Sequence, residues 1–378
     1  LMQAYPRFIT KIEYLDWLAP GEREALKPVT AKYPFRANEY YLSLIDWNDP
    51  DDPIRRIVVP HPEELEEWGD LDASEECRYT QVPGLQHKYG ETALILASDV
   101  CGAICRFCFR KRGFMRRDPG QGRDLDAALD YVRSHPELTN VLLTGGDPLF
   151  LPTPRLESLV GRLREIPHVR IVRIGSKMLA YNPYRVLNDP TLLEMFSRYS
   201  RAGRKMYLMT HFNHPRELTE QAVTALDLLG RAGVVVANQT PVLRGVNDDA
   251  AVLTELFRKL SFAGAPPYYL FVCRPTSGNR RFTVPVERAY DLFQRAIMGC
   301  SGLAKRARLV MSHATGKIEV AGRTADQVFF RYHRAADPTR ESGFMVFKSN
   351  PEALWFDDYL EREVAHWPGR GYHCYGPE

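Results

Sequence analysis

The stretch "DVCGAICRFCFRKRG", residues 99–113, places three of the chain's seven cysteines within eight residues and follows them with a run of cations. Cys101, Cys105 and Cys108 have the spacing C-x3-C-x2-C, and the aromatic Phe107 precedes the last of them. Thiolates at this spacing can wrap one corner of an iron–sulfur cluster, and three ligands on a four-iron cube leave one iron open. The spacing therefore predicts a [4Fe-4S] cluster that takes part in chemistry.

Two other interpretations of the cysteines compete with a cluster. A structural zinc site needs four closed ligands, and no second Cys or His pair follows Cys108 at finger spacing. Incidental thiols are the plainest alternative, but three cysteines in eight residues argue against it. The other cysteines are scattered and the total is odd, which is a poor disulfide framework and fits a reducing compartment. They are Cys77, Cys273, Cys300 and Cys374.

From about residue 93, short apolar runs alternate with amphipathic segments, as in repeated βα units around a parallel sheet. The predicted strands are "TALILASDV", "NVLLTGG", "VRIVRIG", "KMYLMTH", "GVVVANQT", "YYLFVC" and "ARLVMS". The predicted helices include "DLDAALDYVRSH", "RLESLVGRLREI", "PTLLEMFSRYSRAG", "RELTEQAVTALDLLGRAG" and "VERAYDLFQRAI". Several helices begin after Pro or Asp. Six such units predict an α/β fold with a partial (βα)6 barrel, whose functional residues lie at the C-terminal ends of the strands.

The domain organisation follows from this pattern. We expect a mostly helical N-terminal extension over residues 1–92, the partial barrel over 93–300 and a C-terminal segment over 301–378. The C-terminal segment mixes short strands with a predicted helix in "NPEALWFDDYLEREVA", residues 350–365.

The composition excludes several classes of protein. The 378 residues include 50 Lys and Arg against 47 Asp and Glu, a formal charge of +3, so charge indicates no nucleic-acid or membrane partner. No stretch approaches 18 uncharged apolar residues, and the opening "LMQAYPRFITKIEYLDW" lacks the features of a signal peptide. We therefore expect a cytoplasmic protein.

A second motif, "LLTGGDPLFL" at 142–151, ends the second predicted strand. Gly145 and Gly146 let backbone groups approach a ligand closely, and Asp147 can accept a hydrogen bond from an ammonium group. Taken alone, Gly-Gly-Asp-Pro is more often only a turn.

Together these motifs resemble the radical S-adenosylmethionine (SAM) superfamily. In particular the chain is similar to the lysine 2,3-aminomutase family, which uses pyridoxal phosphate (PLP) beside the cluster. The matching stretches, between about residues 38 and 275, are "YYLSLIDWNDPDDPIR", "VPGLQHKYGETALIL", "CGAICRFCFRKR", "TGGDPLFL", "VRIGSK", "MTHFNHPRELT", "NQTPVLRGVND" and "PYYLFVC". The resemblance implies a radical SAM partial barrel with the cluster, SAM and PLP at its open end.

The resemblance also assigns residues to the cofactors. For SAM they are Gly145, Gly146, Asp147, Ser176, His211 and Gln239. For PLP they are Lys317, which would carry it as a Schiff base, with Lys88, Tyr89 and Asn238. Lys317 follows a single glycine, a shortened form of the family's glycine run, and a surface lysine is the alternative. Thr92 stands where the family has a second arginine at the PLP phosphate. For Asn238 and Gln239, a capped strand end is the alternative.

For the substrate, the resemblance assigns Arg110 to the α-carboxylate, although an ordinary surface cation is the alternative. Lysine-using members hold the side-chain ammonium with two aspartates; this chain has Arg274 at the first position and Ser312 or His313 nearest the second. Because a buried ammonium without an acidic partner costs several kcal/mol, we expect a substrate other than lysine. A side-chain carboxylate, as in glutamate or aspartate, would suit Arg274, unless Arg274 faces solvent or another protein group.

The activity expected from the resemblance is conversion of an α-amino acid into a β-amino acid by a 2,3-aminomutase. The alternatives are a PLP-dependent radical SAM enzyme that deaminates, eliminates or decarboxylates, lysine 2,3-aminomutase itself, a modified protein side chain as substrate, and a non-catalytic Fe–S protein. An electron donor such as flavodoxin or ferredoxin and a homo-oligomeric state are also expected. Because Asp249 stands where the family's zinc site has a cysteine, we predict no zinc.

Overall fold

Seven parallel strands form the centre of the structure, a computed structural model in which residues 5–115 and 123–360 are described. The strands are β1 (Phe8–Ile9), β2 (Ala37–Asn38), β3 (Thr80–Val82), β4 (Leu85–Tyr89), β5 (Thr92–Ser98), β6 (Asn140–Gly145), β7 (Ile171–Ser176), β8 (Met206–Thr210), β9 (Val235–Val242), β10 (Pro267–Val272), β11 (Arg308–His313), β12 (Gly316–Arg323), β13 (Gln327–Ala335) and β14 (Phe344–Lys348). The seven predicted strands are present as β5 to β11.

The helices flank this sheet. They are α1 (Pro20–Lys32), α2 (Glu39–Leu42), α3 (Pro53–Val58), α4 (Glu76–Tyr79), α5 (Leu125–Ser134), α6 (Thr153–Arg164), α7 (Met178–Tyr181), α8 (Tyr184–Leu187), α9 (Pro190–Tyr199), α10 (Glu220–Arg231), α11 (Ala250–Phe262), α12 (Val286–Met298) and α13 (Asp357–Leu360). Two predicted helices, α5 and α9, begin after Asp124 and Asp189, whose carboxylates accept hydrogen bonds from backbone N–H groups of the first turn. Asp249 does the same for α11.

The parallel strands follow one another in chain order from β5 to β11, with at least one helix between each pair. At the two ends, β5 pairs antiparallel with β4, and β11 pairs antiparallel with β12. Within the described residues the sheet therefore does not close on itself. The predicted α/β fold with a partial barrel is confirmed.

Along a parallel strand, alternate side chains face the hydrophobic core and the cavity. On β6, Val141 and Leu143 are fully buried in the core that includes residues of the flanking helices, whereas Leu142 and Thr144 line a cavity on the other face. Successive side chains of a strand point to opposite faces. Each parallel strand can therefore contribute to the core and to the cavity.

The N-terminal residues are helical at first and then join the sheet. Helices α1 to α4 precede β3 and β4, which extend the sheet beyond β5. The predicted boundary after residue 92 thus falls at the first residue of β5, a strand that is hydrogen-bonded to β4, and the division into domains stays a prediction. Strand β4 was not predicted, because its sequence "LQHKY" is mostly polar and has no regular alternation of apolar side chains.

A buried ion-pair group joins the N-terminal extension to the cysteine loop. Arg106, between two of the cysteines, is 1% exposed and contacts Glu64 through Nη2 and Oε2 at 2.8 Å. The Nζ atom of Lys111 is 3.0 Å from the same oxygen. Because an unpaired buried charge is costly, this group fixes the position of the loop.

The C-terminal residues add three antiparallel strands, β12 to β14, to the other edge. Of the helix predicted over residues 350–365, the described part contains α13, and the positions after 360 lie outside the described residues. None of the helices in the described part has both the length and the apolar character needed to cross a membrane.

Candidate active site

A cavity of about 430 Å³ lies at the carboxyl ends of the parallel strands, between the cysteine loop and the β11–β12 hairpin. This volume is in the range of small-molecule sites. Of the fifteen residues that the sequence assigns to a site, fourteen line the cavity, and Asn238 does not.

The three cysteines of the predicted cluster all line this cavity. Burial raises the pKa of the three thiols, that of Cys105 to about 12. Such thiols ionise when a metal compensates the charge. The Sγ atom of Cys105 is 2.8 Å from the hydroxyl of the buried Tyr181, which can donate a hydrogen bond to a thiolate. The loop therefore has the donor chemistry of an iron site.

The same cysteines fit a cluster better than a single ion. No three His, Cys, Asp or Glu side chains within residues 5–115 and 123–360 are placed to hold one metal ion. In a four-iron cube each thiolate binds its own iron, so three sulfur atoms need not converge on one point. Asp249 caps α11, and Cys374 lies outside the described residues, so the absence of zinc stays a prediction.

The two glycines at the end of β6 allow close contact between backbones. Gly145 has φ +116°, and a Cβ atom there would lie 2.3 Å from the Ser98 carbonyl oxygen. A Cβ atom at Gly146 would lie 2.6 Å from the Val100 carbonyl oxygen. The glycines therefore let the start of the cysteine loop pack directly on the end of β6.

Asp147 binds groups of the protein itself. Its carboxylate accepts hydrogen bonds from Ser176 Oγ at 2.7 Å and from the backbone N–H groups of Leu149 and Lys177 at 3.0 and 2.8 Å. Burial raises the pKa of Asp147 to about 6 in spite of these bonds. Asp147 and Ser176 thus tie the ends of β6 and β7 together, and their contact with SAM stays a prediction.

Neighbouring residues of β9 face different surroundings. Gln239 lines the cavity together with His211, whose pKa burial lowers to about 3, so that its imidazole is neutral. Asn238 is 1% exposed, and its Oδ1 atom accepts hydrogen bonds from Thr210 Oγ1 at 3.0 Å and Phe212 N at 2.8 Å. The structure therefore does not bring Asn238 into the cavity, because strand alternation turns it away, and its amide caps the ends of neighbouring strands.

Lys317 reaches the cavity from the start of β12. Its Nζ atom lies 4.2 Å from the centre of the Tyr269 ring. Burial, and then the neighbouring cations Arg173 and Arg334, lower the pKa of Lys317 to about 7. A large share of this amine is thus uncharged at neutral pH, as a lysine that attacks a carbonyl group requires.

Lys88 and Tyr89 line the cavity beside this hairpin. Lys88 Nζ donates a hydrogen bond to the His313 carbonyl oxygen at 2.6 Å, and burial followed by Arg274 lowers the pKa of Lys88 to about 7. Thr92 lines the cavity as well. The residues matched to the family's phosphate site therefore lie together.

Arg110 lies in the cavity with a carboxylate partner. Its Nε atom is 2.8 Å from Glu76 Oε1, and its Nη1 atom donates to Thr144 Oγ1 at 3.2 Å. Arg112 pairs with the other oxygen of Glu76 at 2.7 Å. Although burial opposes ionisation, these arginines lower the pKa of Glu76 to about 2. Glu76 was not predicted as a site residue, because it lies 34 residues before Arg110 in the chain and no local pattern marks it.

Arg274 faces the cavity without such a partner. Its guanidinium contacts Ser74 Oγ and donates to the Ser312 carbonyl oxygen at 2.5 Å, while its buried Nε atom has no hydrogen-bond partner. No carboxylate forms an ion pair with Arg274 in the described parts of the chain. The guanidinium carbons of Arg274 and Arg110 lie 4.5 and 4.7 Å from the centre of the Phe109 ring. One small molecule with two carboxylates can therefore reach both.

Two further arginines of the cavity lining, Arg173 on β7 and Arg334 on β13, were not predicted as site residues. Arg173 could have been identified from its position in the apolar strand "VRIVRIG", because a charged side chain is seldom buried unless it has a partner or a ligand. Arg334 gives no local signal.

Comparison with known proteins identifies the family. A model of the radical SAM superfamily matches residues 95–256. A protein of Aquifex aeolicus described as a putative L-lysine 2,3-aminomutase is 56% identical over 356 residues, which cover 94% of this chain and 95% of that protein. The chain belongs to the lysine 2,3-aminomutase family.

Other members of the lysine 2,3-aminomutase family differ in substrate. The L-lysine 2,3-aminomutase of Clostridium subterminale is 39% identical over 280 residues, covering 73% of this chain and 66% of that one. The glutamate 2,3-aminomutase of Clostridioides difficile is 34% identical over 290 residues, covering 76% and 67%. The family therefore contains isomerases for both a basic and an acidic amino acid, and its superfamily implies a [4Fe-4S] cluster and SAM.

Proposed function

We propose that this chain is a 2,3-aminomutase that moves the amino group of an acidic α-amino acid, glutamate or aspartate, from C2 to C3. Family membership supports the isomerase reaction. The observation that carries the choice of substrate is Arg274, a guanidinium in the active-site cavity with no carboxylate partner in the described residues.

The cavity lining favours an acidic side chain over a basic one. It contains two carboxylates: Glu76 is paired with two arginines, and Asp147 accepts hydrogen bonds from the protein. Neither is available to a lysine ammonium group, which would instead lie near Arg274. An ammonium buried without a partner costs several kcal/mol. A carboxylate in the same place would form charge-assisted hydrogen bonds with Arg274.

The residues of the chain have separate tasks in this reaction. Cys101, Cys105 and Cys108 would hold the cluster, and Lys317 would hold PLP. When bound, the reduced cluster with SAM supplies an organic radical that can remove a hydrogen atom, and PLP supplies a ring system that can spread an unpaired electron. Arg110 and Arg274, both close to the Phe109 ring, would bind the two carboxylates and so orient the carbon atoms between them.

The proposal is tested with anaerobically reconstituted, reduced protein, given SAM, PLP and single amino acids. We expect glutamate or aspartate to give a product of unchanged mass together with 5′-deoxyadenosine, and lysine to remain unchanged. Turnover of lysine, which the names of the Aquifex and Clostridium subterminale relatives favour, would refute the acidic substrate. A product of altered mass would instead show deamination, elimination or decarboxylation.

Two pairs of variants test the residues. Cys101→Ala should abolish formation of 5′-deoxyadenosine, whereas Cys300→Ala, at a cysteine that does not line the cavity, should not. Arg274→Gln should raise the KM for the acidic substrate, whereas Arg280→Gln, on an exposed side chain that pairs with Glu66, should leave it unchanged. An unaltered KM in Arg274→Gln would refute the role given to this residue.

A further inference from the structure

The phosphate group of PLP needs more positive charge than the family-like residues of this chain provide. Thr92 supplies a hydroxyl where the family has an arginine, and Lys88 already donates a hydrogen bond to the His313 carbonyl oxygen at 2.6 Å. A phosphate monoester carries nearly two negative charges at neutral pH. Its binding site must therefore draw cations from elsewhere in the fold.

Two guanidinium groups lie where such cations are needed. Arg334, on β13, stands opposite Lys317 in the strand register, and its Cζ atom is 4.7 Å from the centre of the Tyr89 ring. Arg173 projects from β7 into the same cavity, and its Nε atom donates to Asn140 Oδ1 at 2.9 Å. Arg173 on β7 and Arg334 on β13 therefore approach the part of the cavity near Lys317 and Tyr89 from strands that lie on opposite sides of β10 in the sheet.

The local charge is strongly positive. Arg173 forms no ion pair with a carboxylate in the described residues, and Arg334 pairs only with Glu91, at 2.6 Å, whose side chain is 51% exposed. The positive field of both arginines contributes to the low pKa of Lys317. Cations held together in a half-buried site without sufficient counter-charge form a ready site for an anion.

We propose that Arg173 and Arg334 form the anion site that receives the phosphate group of PLP and replace the guanidinium that this chain lacks at position 92. The inference rests on the proposed function, because PLP binding is part of it. Arg274 then remains for the substrate, so the two arginine sites have different partners. Arg173 and Arg334 would hold the phosphate through charge-assisted hydrogen bonds, for which the planar guanidinium group is suited.

The test compares PLP with pyridoxal, which has the same aldehyde but no phosphate group. Dissociation constants are measured by absorbance on full-length, cluster-loaded protein from which PLP has been removed. Both compounds react with Lys317, so any change in the pKa of that amine affects them equally. The ratio of the two constants therefore reports on the phosphate site alone.

We expect Arg173→Met and Arg334→Met each to lower the preference for PLP over pyridoxal, the ratio of the two dissociation constants, by about tenfold or more. Arg173→Lys should retain part of the preference for PLP. The matched control is Arg331→Met, on the same strand as Arg334, because Arg331 pairs with Glu319 and does not line the cavity. Inorganic phosphate should compete with PLP in the wild type and less in the two variants. Pyridoxal binding that persists in each variant also shows that the variant is folded.

Three results would overturn the inference. They are an unchanged PLP to pyridoxal ratio in both variants, an equal loss of affinity for both compounds, and a rise in the KM for the amino acid without a change in PLP affinity. The last would assign these arginines to the substrate. A wild-type protein that binds neither compound would refute the proposed PLP dependence as well, whereas unchanged variants of a protein that binds PLP would refute this inference alone.

Discussion

The Lys317 amine should form its covalent bond with PLP with a midpoint near pH 7. Burial and the nearby arginines lower the pKa of Lys317 from the ordinary 10.5 to about 7. At pH 7 about half of this amine is then neutral, against roughly one in three thousand for an amine with the ordinary value. Because only the neutral amine attacks an aldehyde, capture at Lys317 should exceed capture at an exposed lysine by on the order of a thousandfold at equal nucleophilicity.

The measurement uses PLP-free protein mixed briefly with PLP between pH 5.5 and pH 10, followed by reduction with borohydride and peptide mass spectrometry. Modification at Lys317 should rise through pH 7 and then level off, since the protonated amine predominates below that value. The pKa of Lys88 is also lowered to about 7, so Lys88 is a second amine that can react with PLP. Lys88→Met serves as the control that removes it. Arg173→Met should move the midpoint upward by removing a nearby cation. A midpoint near pH 10 at Lys317 in the wild type would refute the reasoning.

Three further predictions concern single residues. Glu64→Gln should leave the buried Arg106 without a counter-charge and lower the free energy of unfolding by about 3–5 kcal/mol, and a urea titration that matches wild type would contradict this. Tyr181→Phe removes the hydroxyl 2.8 Å from Cys105 Sγ, so an EPR-monitored redox titration should show a more negative cluster potential; an identical potential would exclude the hydrogen bond. Gly316→Ala, at φ +151°, should destabilise the protein by about 1–3 kcal/mol and slow PLP capture. A melting temperature and a capture rate equal to those of the wild type would contradict this.

The regular part of the fold was predictable because its signals are local. Apolar runs such as "NVLLTGG" and "GVVVANQT" gave the parallel strands β6 and β9, and the intervening amphipathic segments gave helices with Asp caps. Strands β3 and β4 gave no such signal, since they are short and rich in polar residues. They exist because the open edge of β5 offers hydrogen-bond partners, which is a property of the assembled sheet.

The parts of the site that could be predicted are those formed by residues close together in the sequence. The spacing of the three cysteines and the glycine pair at 145–146 could be read directly from the sequence. The pairing of Arg110 with Glu76 and the approach of Arg173 to Arg334 could not, because each depends on segments that only the sheet brings together. Asn238 was predicted to lie at the site and does not line the cavity. It is next to a cavity residue in the sequence, but its side chain forms hydrogen bonds with Thr210 and Phe212.

The position of Lys317 on a hairpin beyond the last parallel strand means that the site is assembled from two distant parts of the sheet. The thiol loop and the glycine pair belong to the first two βα units, whereas the amine and Arg334 come from β12 and β13, added at the far edge. The two parts of the site therefore come from opposite ends of the sheet order. A change in the length or position of the β12–β13 hairpin would move the amine and Arg334 together and leave the thiol loop in place.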